Sequence, residues 1–135
     1  LVRVSGGAWQ SRTELLLAVA KLQGLEYVAI GASLAGALLK QTPKQRPVYA
    51  SETIKDLVRA GKQGIALDQI EILFDPDLQI DPLRFIRNLS HSQLILLSWP
   101  GTCDPSRLIY ARPDHPEYRV SPIGDTLIYS LENAV

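Results

Sequence analysis

The sequence predicts an α/β protein in which helices cover both faces of a mainly parallel five-stranded sheet, as a three-layer sandwich with no separate lid domain. Two observations predict this class. Short runs that are apolar throughout alternate with segments of helical periodicity, which is typical of parallel strands buried on both faces. Several of these runs also end in a polar residue, and ligands collect at the carboxyl ends of strands in such sheets. We expect the 135 residues to form one domain.

Each element follows from its apolar pattern and from the residues that end it. Gly24 and Gly61 are expected to stop helices, and Pro82 suits the first turn of one. Turn-forming residues make 42–47 a connector. The resulting prediction places strands at 1–5, 27–30, 64–68, 94–98 and 126–131, and helices at 11–22, 33–40, from Ser51 to Gly61, and from Pro82 onward.

Composition indicates a globular protein and gives no sign of a nucleic-acid ligand. Hydrophobic residues make up 46% and charged residues 21% of the chain, and the formal net charge is zero. A disordered segment would be more polar, and a nucleic-acid-binding domain is usually basic. A local basic patch is not excluded by these totals.

The few residues with metal-binding or redox chemistry do not form a recognisable set. Cys103 is the single cysteine, so the chain cannot form an internal disulfide or a cysteine metal site. His91 and His115 lie far apart and have no cysteine nearby. No apolar stretch approaches the roughly 20 residues that span a bilayer, and the first residues do not resemble a signal peptide. We therefore expect a cytoplasmic protein without a membrane span.

The first apolar run leads directly into a loop that resembles a phosphate-binding P-loop, Gly-x-x-x-x-Gly-Lys-Ser/Thr. A P-loop surrounds phosphates with backbone N–H groups at a helix start, while its lysine contacts the β/γ-phosphates and its hydroxyl binds Mg²⁺. Here serine replaces the second glycine and arginine replaces the lysine, whereas the threonine is kept. The predicted nucleotide-binding residues are Gly6, Gly7, Ala8, Trp9, Gln10, Ser11, Arg12 and Thr13. An ordinary strand–turn–helix connection with a Gly-Gly turn is the alternative.

Polar residues at the ends of two later strands extend this interpretation. Asp68 ends an apolar run, as does the aspartate that reaches the Mg²⁺ shell in nucleotide-binding proteins, so Thr13 and Asp68 are the predicted metal ligands. Active ATPases often have glutamate next, but this chain has Gln69, which can orient a water without acting as a base. Glu71 is the next carboxylate, and Ser98 could sense the γ-phosphate. A turn-capping Asp68 and a plain strand-end hydroxyl at Ser98 are the alternatives.

Downstream motifs resemble the BrxF family, the small P-loop proteins of BREX bacteriophage-exclusion systems. Trp-Pro-Gly and His-Pro-Glu-Tyr are the most distinctive of these motifs. The resemblance is carried by residues 67–76, Asp81-Pro82-Leu83, Leu89-Ser90, Ser98-Trp99-Pro100-Gly101 and 110–118. It implies an AAA-like P-loop ATPase domain that works with larger subunits of a defence complex. Family members carry an intact Gly-Lys-Thr/Ser, and this chain departs from them at Ser11 and Arg12.

Two functional hypotheses follow, from different classes. In the first, the chain binds Mg·ATP weakly, hydrolyses it slowly or not at all, and self-assembles, with a ring as one form. An arginine from a neighbouring copy would then reach the γ-phosphate, and Arg84 and Arg87 share a helix face suited to this, with Arg107 and Arg112 as comparable candidates. In the second, the chain is a pseudo-ATPase scaffold that needs no nucleotide. The expected partners are further copies and other BREX subunits, with DNA contact through the assembly left open.

Overall fold

The computed structural model describes residues 2–5, 9–124 and 127–130, with side chains from residue 11 to residue 124. The helices of this part are Trp9–Gln23 (α1), Ile30–Leu39 (α2), Arg46–Ala60 (α3) and Pro82–Ser90 (α4), with short 3₁₀ helices at Ile70–Phe74 and Pro76–Leu78. The strands are Val2–Ser5 (β1), Glu26–Ala29 (β2), Ile65–Asp68 (β3), Ile95–Ser98 (β4), Thr102–Cys103 (β5), Arg107–Tyr110 (β6), Arg119–Pro122 (β7) and Leu127–Ser130 (β8).

The first sheet is parallel, and its strands lie in the order β2-β3-β4-β1-β8. Its register pairs Ala29 with Asp68 and Val4 with Ser98. Because all these strands run the same way, their carboxyl ends lie along one edge of the sheet. The polar residues that end β3 and β4 are thereby brought to the same edge.

The second sheet is antiparallel, with strand order β5-β6-β7. The predicted architecture, a P-loop NTPase-like three-layer sandwich around one mainly parallel five-stranded sheet, is therefore wrong, because the strands divide between a parallel and an antiparallel sheet. The sequence predicts no strand between residues 98 and 126, where β5, β6 and β7 lie. The strands of the second sheet are two to four residues long, and only two of their ten residues are buried. Pro113 and Pro116 lie between β6 and β7, so this part of the sequence lacks the long apolar run that indicates a buried strand.

The faces of the parallel sheet are covered by different helices. Successive side chains of a strand point to opposite faces. In β3, Ile65 and Leu67 pack with residues of α2, α3 and α4, whereas Ala66 packs with Leu16 and Ala20 of α1. The side chain of Asp68 therefore lies on the α1 face of the sheet, and this decides which residues can reach it.

Several element boundaries differ from the sequence prediction. Ile30 begins α2 instead of ending a strand, and α3 begins at Arg46, five residues before Ser51, with proline in its first turn. Leu22, which the helical periodicity of residues 11–22 places on the same face as Leu16, is 82% exposed, whereas Leu16 is fully buried. The expected ends of the last strand, Thr126 and Leu131, lie outside the described residues, as does Leu1.

Backbone freedom at one glycine is required for the connection into β3. Gly64 has φ +129°, and a Cβ there would lie 2.8 Å from the carbonyl oxygen of Leu94. The same region is tied to α3 by Gln93, whose amide donates to the carbonyl of Val58 at 3.1 Å and also to that of Gly61. These contacts fix the start of β3 and so the position of its carboxyl end.

An aromatic cluster joins the two sheets. Tyr110 of β6 stacks on Phe74 with a centroid distance of 3.8 Å, and Trp99 meets both rings edge-on. Phe74 ends the 3₁₀ helix that follows β3, and Trp99 follows β4 directly, so the antiparallel sheet rests on the segments that leave the carboxyl edge of the parallel sheet. Within the described residues, no helix has the length and apolar content needed to cross a membrane.

Candidate functional site

The site is centred on Asp68, the last residue of β3, which is only 5% exposed. Its Oδ2 atom accepts hydrogen bonds from the hydroxyls of Thr13 and Tyr27, each at 2.7 Å. Its Oδ1 atom accepts from the backbone N–H of Gln69 at 2.9 Å. A buried carboxylate needs such donors because burial removes its water. The protein itself therefore holds this carboxylate in one orientation.

Arg12 and Thr13 reach the site from the first half of α1. Thr13 approaches Asp68, while the Nε atom of Arg12 donates to the hydroxyl of Ser98 at 3.3 Å. Ser98 ends β4, is 4% exposed, and lies on the same face as Leu96, which packs against α1. The alternation within β3 and β4 thus turns both strand-end polar residues toward α1.

Tyr27 is a site residue that the sequence analysis missed. It lies two positions before Ala29, the register partner of Asp68, so its side chain points to the same face of the sheet. Burial, followed by the hydrogen bond to Asp68 and its negative charge, raises the pKa of Tyr27 to about 12. The phenol is consequently protonated at neutral pH and remains a donor. Only the pairing of β2 with β3 brings the residues together, and nothing in the sequence marks that pairing.

Gln69 adopts a left-handed backbone conformation, with φ 57° and ψ 48°. This conformation costs a non-glycine residue about 1–2 kcal/mol. Its side-chain oxygen accepts a hydrogen bond from the N–H of Ala32, in the first turn of α2, at 3.1 Å. Gln69 therefore links the end of β3 to the start of α2, and this oxygen is already engaged there.

Glu71 lies in the 3₁₀ helix beyond Gln69 and borders the same cavity. Desolvation raises the pKa of its carboxyl, and the charge of Asp68 adds to the rise, whereas a backbone hydrogen bond and the Arg12 cation oppose it. A carboxyl whose pKa moves toward neutrality becomes a better proton acceptor than an ordinary one.

A cavity of about 390 Å³ lies beside Asp68 at the carboxyl edge of the parallel sheet. It combines a cation with hydroxyl, amide and carboxyl groups, which are the groups that bind phosphate and hard metal ions. The lining residues are Arg12, Thr13, Asp68, Gln69, Glu71 and Pro100. The cavity thus brings together the last two residues of the predicted loop, Asp68 at the end of β3, and two predicted residues that follow it, Gln69 and Glu71.

The first six residues of the predicted loop are not among those that line the cavity in the described part of the chain. Gly6, Gly7 and Ala8 lie outside the described residues, and for Trp9 and Gln10 only the backbone is described, as the first residues of α1. Ser11 is exposed on α1. Because α1 begins at Trp9, residues 9–13 of the predicted loop belong to the helix.

The arginines proposed to act on a neighbouring copy lie away from this cavity. Arg87 donates to the carbonyl oxygens of Pro122 and Ile123 at 2.5 and 2.7 Å, which ties α4 to the end of β7. Arg84 is exposed and borders a separate cavity of about 320 Å³ with Asp81 and Asn88.

The other two arginine candidates lie in or beside the antiparallel sheet. Arg107 forms an ion pair with Asp104 at 2.7 Å on the exposed turn between β5 and β6. Arg112 is exposed in the segment between β6 and β7.

Thr13 and Asp68 offer oxygen atoms to a metal ion, but too few to hold one by themselves. Mg²⁺ usually binds proteins through one or two carboxylates together with substrate phosphates and water. Thr13 and Asp68 supply a hydroxyl and a carboxylate at one point, and the described residues contain no group of three or more His, Cys, Asp and Glu side chains suited to a metal. This arrangement fits Mg²⁺ carried by a nucleotide better than a cage made by the protein alone.

Comparisons of the chain with protein-family models, with curated proteins and with solved structures find no match. Functional interpretation therefore rests on the geometry of the site and on the motifs of the sequence.

Proposed function

We propose that the chain binds Mg·ATP or Mg·ADP weakly at the Asp68 cavity and hydrolyses ATP slowly or not at all. The observation that supports this most directly is the 2.7 Å hydrogen bond from Thr13 to Asp68, in a cavity that Arg12 also lines. One group for the metal and one cation for phosphate thus lie at the carboxyl edge of parallel strands, where ligands of α/β proteins collect.

Each residue has a separate part in this proposal. Thr13 and Asp68 would hold Mg²⁺, directly or through water, and the metal would neutralise phosphate charge. Arg12 would contact phosphate oxygens with its planar guanidinium, which favours two parallel hydrogen bonds over the point contact that lysine makes. Gly6, Gly7 and Ala8 would contribute backbone N–H groups, as their sequence suggests.

Slow turnover is expected from what borders the cavity. The side-chain oxygen of Gln69 accepts a hydrogen bond from the N–H of Ala32, so it is already engaged and less suited to orient an attacking water. Glu71 borders the cavity, but it follows Asp68 by three residues, whereas active ATPases often have a glutamate directly after this aspartate. In the proposal, Ser98 contacts Arg12 and senses the γ-phosphate only through that arginine.

The biological part of the proposal rests on the BrxF-like motifs. We infer a subunit of a BREX-type phage-defence system that self-assembles and contacts larger subunits, with DNA reached through the assembly. An arginine from a neighbouring copy would complete the site, and Arg84 is the exposed candidate on α4. The same proposal locates the subunit in the cytoplasm, where ATP and Mg²⁺ are available.

One observation favours a second function, a scaffold that needs no nucleotide. The oxygens of Asp68 already accept three hydrogen bonds from the protein. These hydrogen bonds join β3 to β2 and α1 whether or not a nucleotide is bound. Mg·nucleotide titration separates the two functions.

The test is calorimetric titration of the chain with Mg·ADP and Mg·ATP, together with thermal unfolding and a turnover assay. Nucleotide at tenfold above its Kd should stabilise the native state by about 1.4 kcal/mol. Arg12→Ala should weaken binding by tenfold or more, since a charge-assisted contact to phosphate contributes about 1.5–3 kcal/mol. Arg59→Ala, on the exposed surface of α3, is the matched control and should bind as the original chain does.

Two results would count against the proposal. Absence of binding at millimolar nucleotide would favour the scaffold. Turnover by the isolated chain at about 10 s⁻¹, the middle of the usual enzyme range, would contradict slow hydrolysis.

A further inference from the structure

Tyr27 contacts the centre of the site without lining the cavity. Its hydroxyl donates to the Oδ2 atom of Asp68 at 2.7 Å, and the hydroxyl of Thr13 donates to the same atom at the same distance. O–H···O⁻ hydrogen bonds of this kind are stronger than neutral ones, because the acceptor is ionised. Both donors are side chains from elements that flank β3, so they hold the carboxylate from different sides.

The orientation of the carboxylate controls the orientation of the threonine hydroxyl. A hydroxyl has one proton to donate and two lone pairs to offer. While Thr13 donates its proton to Asp68, its lone pairs are the part left for a metal ion. If Asp68 turned about its side-chain bonds, the proton of Thr13 would lose its acceptor and the lone pairs would lose their direction.

The remaining contact of Asp68 cannot prevent that rotation alone. The backbone N–H of Gln69 reaches Oδ1, and only Thr13 and Tyr27 reach Oδ2 among the hydrogen bonds of the described residues. Thr13 is also the group being oriented. Tyr27 is therefore the side chain that restrains Oδ2 independently of the metal-binding hydroxyl.

We propose that Tyr27 is a positioning residue, which fixes the Asp68 carboxylate and through it turns the lone pairs of the Thr13 hydroxyl toward the metal of a bound Mg·nucleotide. This inference rests on the proposed function, because it assigns a role within the same site. It differs from a purely structural role of Tyr27, which would affect folding but would not distinguish nucleotide with Mg²⁺ from nucleotide without it.

The experiment compares the affinity for ADP in Mg²⁺ with the affinity for ADP in EDTA, using Tyr27→Phe, which keeps the ring and removes the hydroxyl. The ratio of the two affinities should fall about tenfold, as is typical when a residue that orients a metal ligand is lost. The affinity in EDTA should not change. Tyr49→Phe is the control, because Tyr49 packs on the opposite face of the sheet and should leave both affinities unchanged.

Asp68→Asn provides an internal standard for the same measurement. It keeps the shape of the side chain but removes its charge, so it should abolish the Mg²⁺-dependent part of the affinity. Tyr27→Phe should fall between this variant and the original chain. Circular dichroism of each variant checks that the fold is kept.

The outcomes separate this inference from the proposed function. If the original chain binds Mg·ADP and Tyr27→Phe binds it equally well, the positioning role is wrong and the proposed function stands. If Tyr27→Phe lowers the affinity for ADP equally with and without Mg²⁺, the positioning role is also wrong, because such a result indicates a structural role. If the original chain shows no Mg²⁺-dependent binding, the proposed function fails and the inference fails with it.

Discussion

The two sheets of the molecule differ in how they are held together. All four residues of β3 and all four of β4 are buried, and helices pack on both sides of them. In β6 only Leu108 is buried, and in β7 only Ser121. The centre of the parallel sheet is thus stabilised by apolar burial, whereas the antiparallel sheet contributes few buried residues and packs on Phe74 and Trp99.

This difference explains where the candidate site forms. A polar residue at the end of a fully buried strand loses its contact with water, so it needs hydrogen bonds from the protein. Asp68 accepts one from Thr13, and Ser98 accepts one from Arg12. The turn at Asp104 also gathers hydrogen bonds, but it is exposed and they are local in sequence. The hydrogen bonds at Asp68, unlike those at Asp104, join elements that are far apart in the sequence, and they lie beside a cavity.

The largest expected effect separates the two sheets by burial. Leu67→Ala, at a fully buried position of β3, should lower the free energy of unfolding by about 2–5 kcal/mol. Val120→Ala in β7, where the side chain is 37% exposed, should cost less than about 1 kcal/mol. Denaturant unfolding measures both.

Leu108→Ala sharpens this comparison, because Leu108 is as buried as Leu67 although it belongs to the antiparallel sheet. If Leu108→Ala lowers the free energy of unfolding as much as Leu67→Ala does, burial determines the cost in both sheets. A much smaller decrease would indicate that the antiparallel sheet unfolds without the parallel one. Equal losses in Leu67→Ala and Val120→Ala would contradict the difference between the sheets.

A smaller effect is expected at the cavity. Desolvation and the nearby Asp68 raise the pKa of Glu71, so the folded state disfavours its ionised form. An acid with a raised pKa in the folded state lowers stability once pH rises above its ordinary value, and this cost reaches its full size above the folded pKa. Glu71→Gln should therefore raise the melting temperature slightly at neutral pH.

The pH dependence checks that reason. The gain from Glu71→Gln should disappear below the ordinary pKa of a glutamate, where the original carboxyl is protonated in both states. Glu52→Gln, on the exposed side of α3, is the control. A gain that persists unchanged in acid would exclude ionisation as its cause.

The smallest effect is expected at the exposed turn of the antiparallel sheet. Hydrogen bonds, first from the backbone of Ser106 and then from the side chain of Arg107, lower the pKa of Asp104 from 3.8 to about 2. A lowered pKa adds stability that is present above pH 3.8 and is lost as pH falls through about 2. Asp104→Asn should thus melt slightly lower than the original chain at neutral pH.

Two conditions should remove this difference. It should vanish below pH 2, and 1 M salt should reduce it, since an exposed ion pair is screened. A difference that is insensitive to both would mean that the asparagine disturbs the turn itself.

The extent of correct sequence prediction follows the burial of each element. The strands predicted at 64–68 and 94–98 match β3 and β4 to within one residue, because strands buried on both faces admit few polar residues. As predicted, α3 ends directly before Gly61 and α4 begins at Pro82. The short strands β5 to β7 carry no comparable signal, since their side chains meet water on most sides, and so the second sheet was missed.

The candidate site was predicted in part. The residue types at Thr13, Asp68 and Ser98 pointed to one edge of a sheet, and the structure brings Thr13 to Asp68 and Arg12 to Ser98. Arg87 was chosen for its helix face, but its partners are carbonyl groups near β7, which no helical pattern can reveal. The roles of these residues in catalysis stay predictions.

The sequence by itself determined which segments are buried strands and which strand ends carry polar groups, because these depend on residue type and on periodicity along the chain. Only the tertiary structure decided that Tyr27 reaches Asp68, that Gln69 is tied to α2, and that β5 to β7 form a sheet of their own. The reason is physical. Tyr27 and Asp68 are 41 positions apart, and Ala32 and Gln69 are 37 apart, so these contacts depend on how the strands pair and how α2 packs. The local sequence pattern carries no information over such separations.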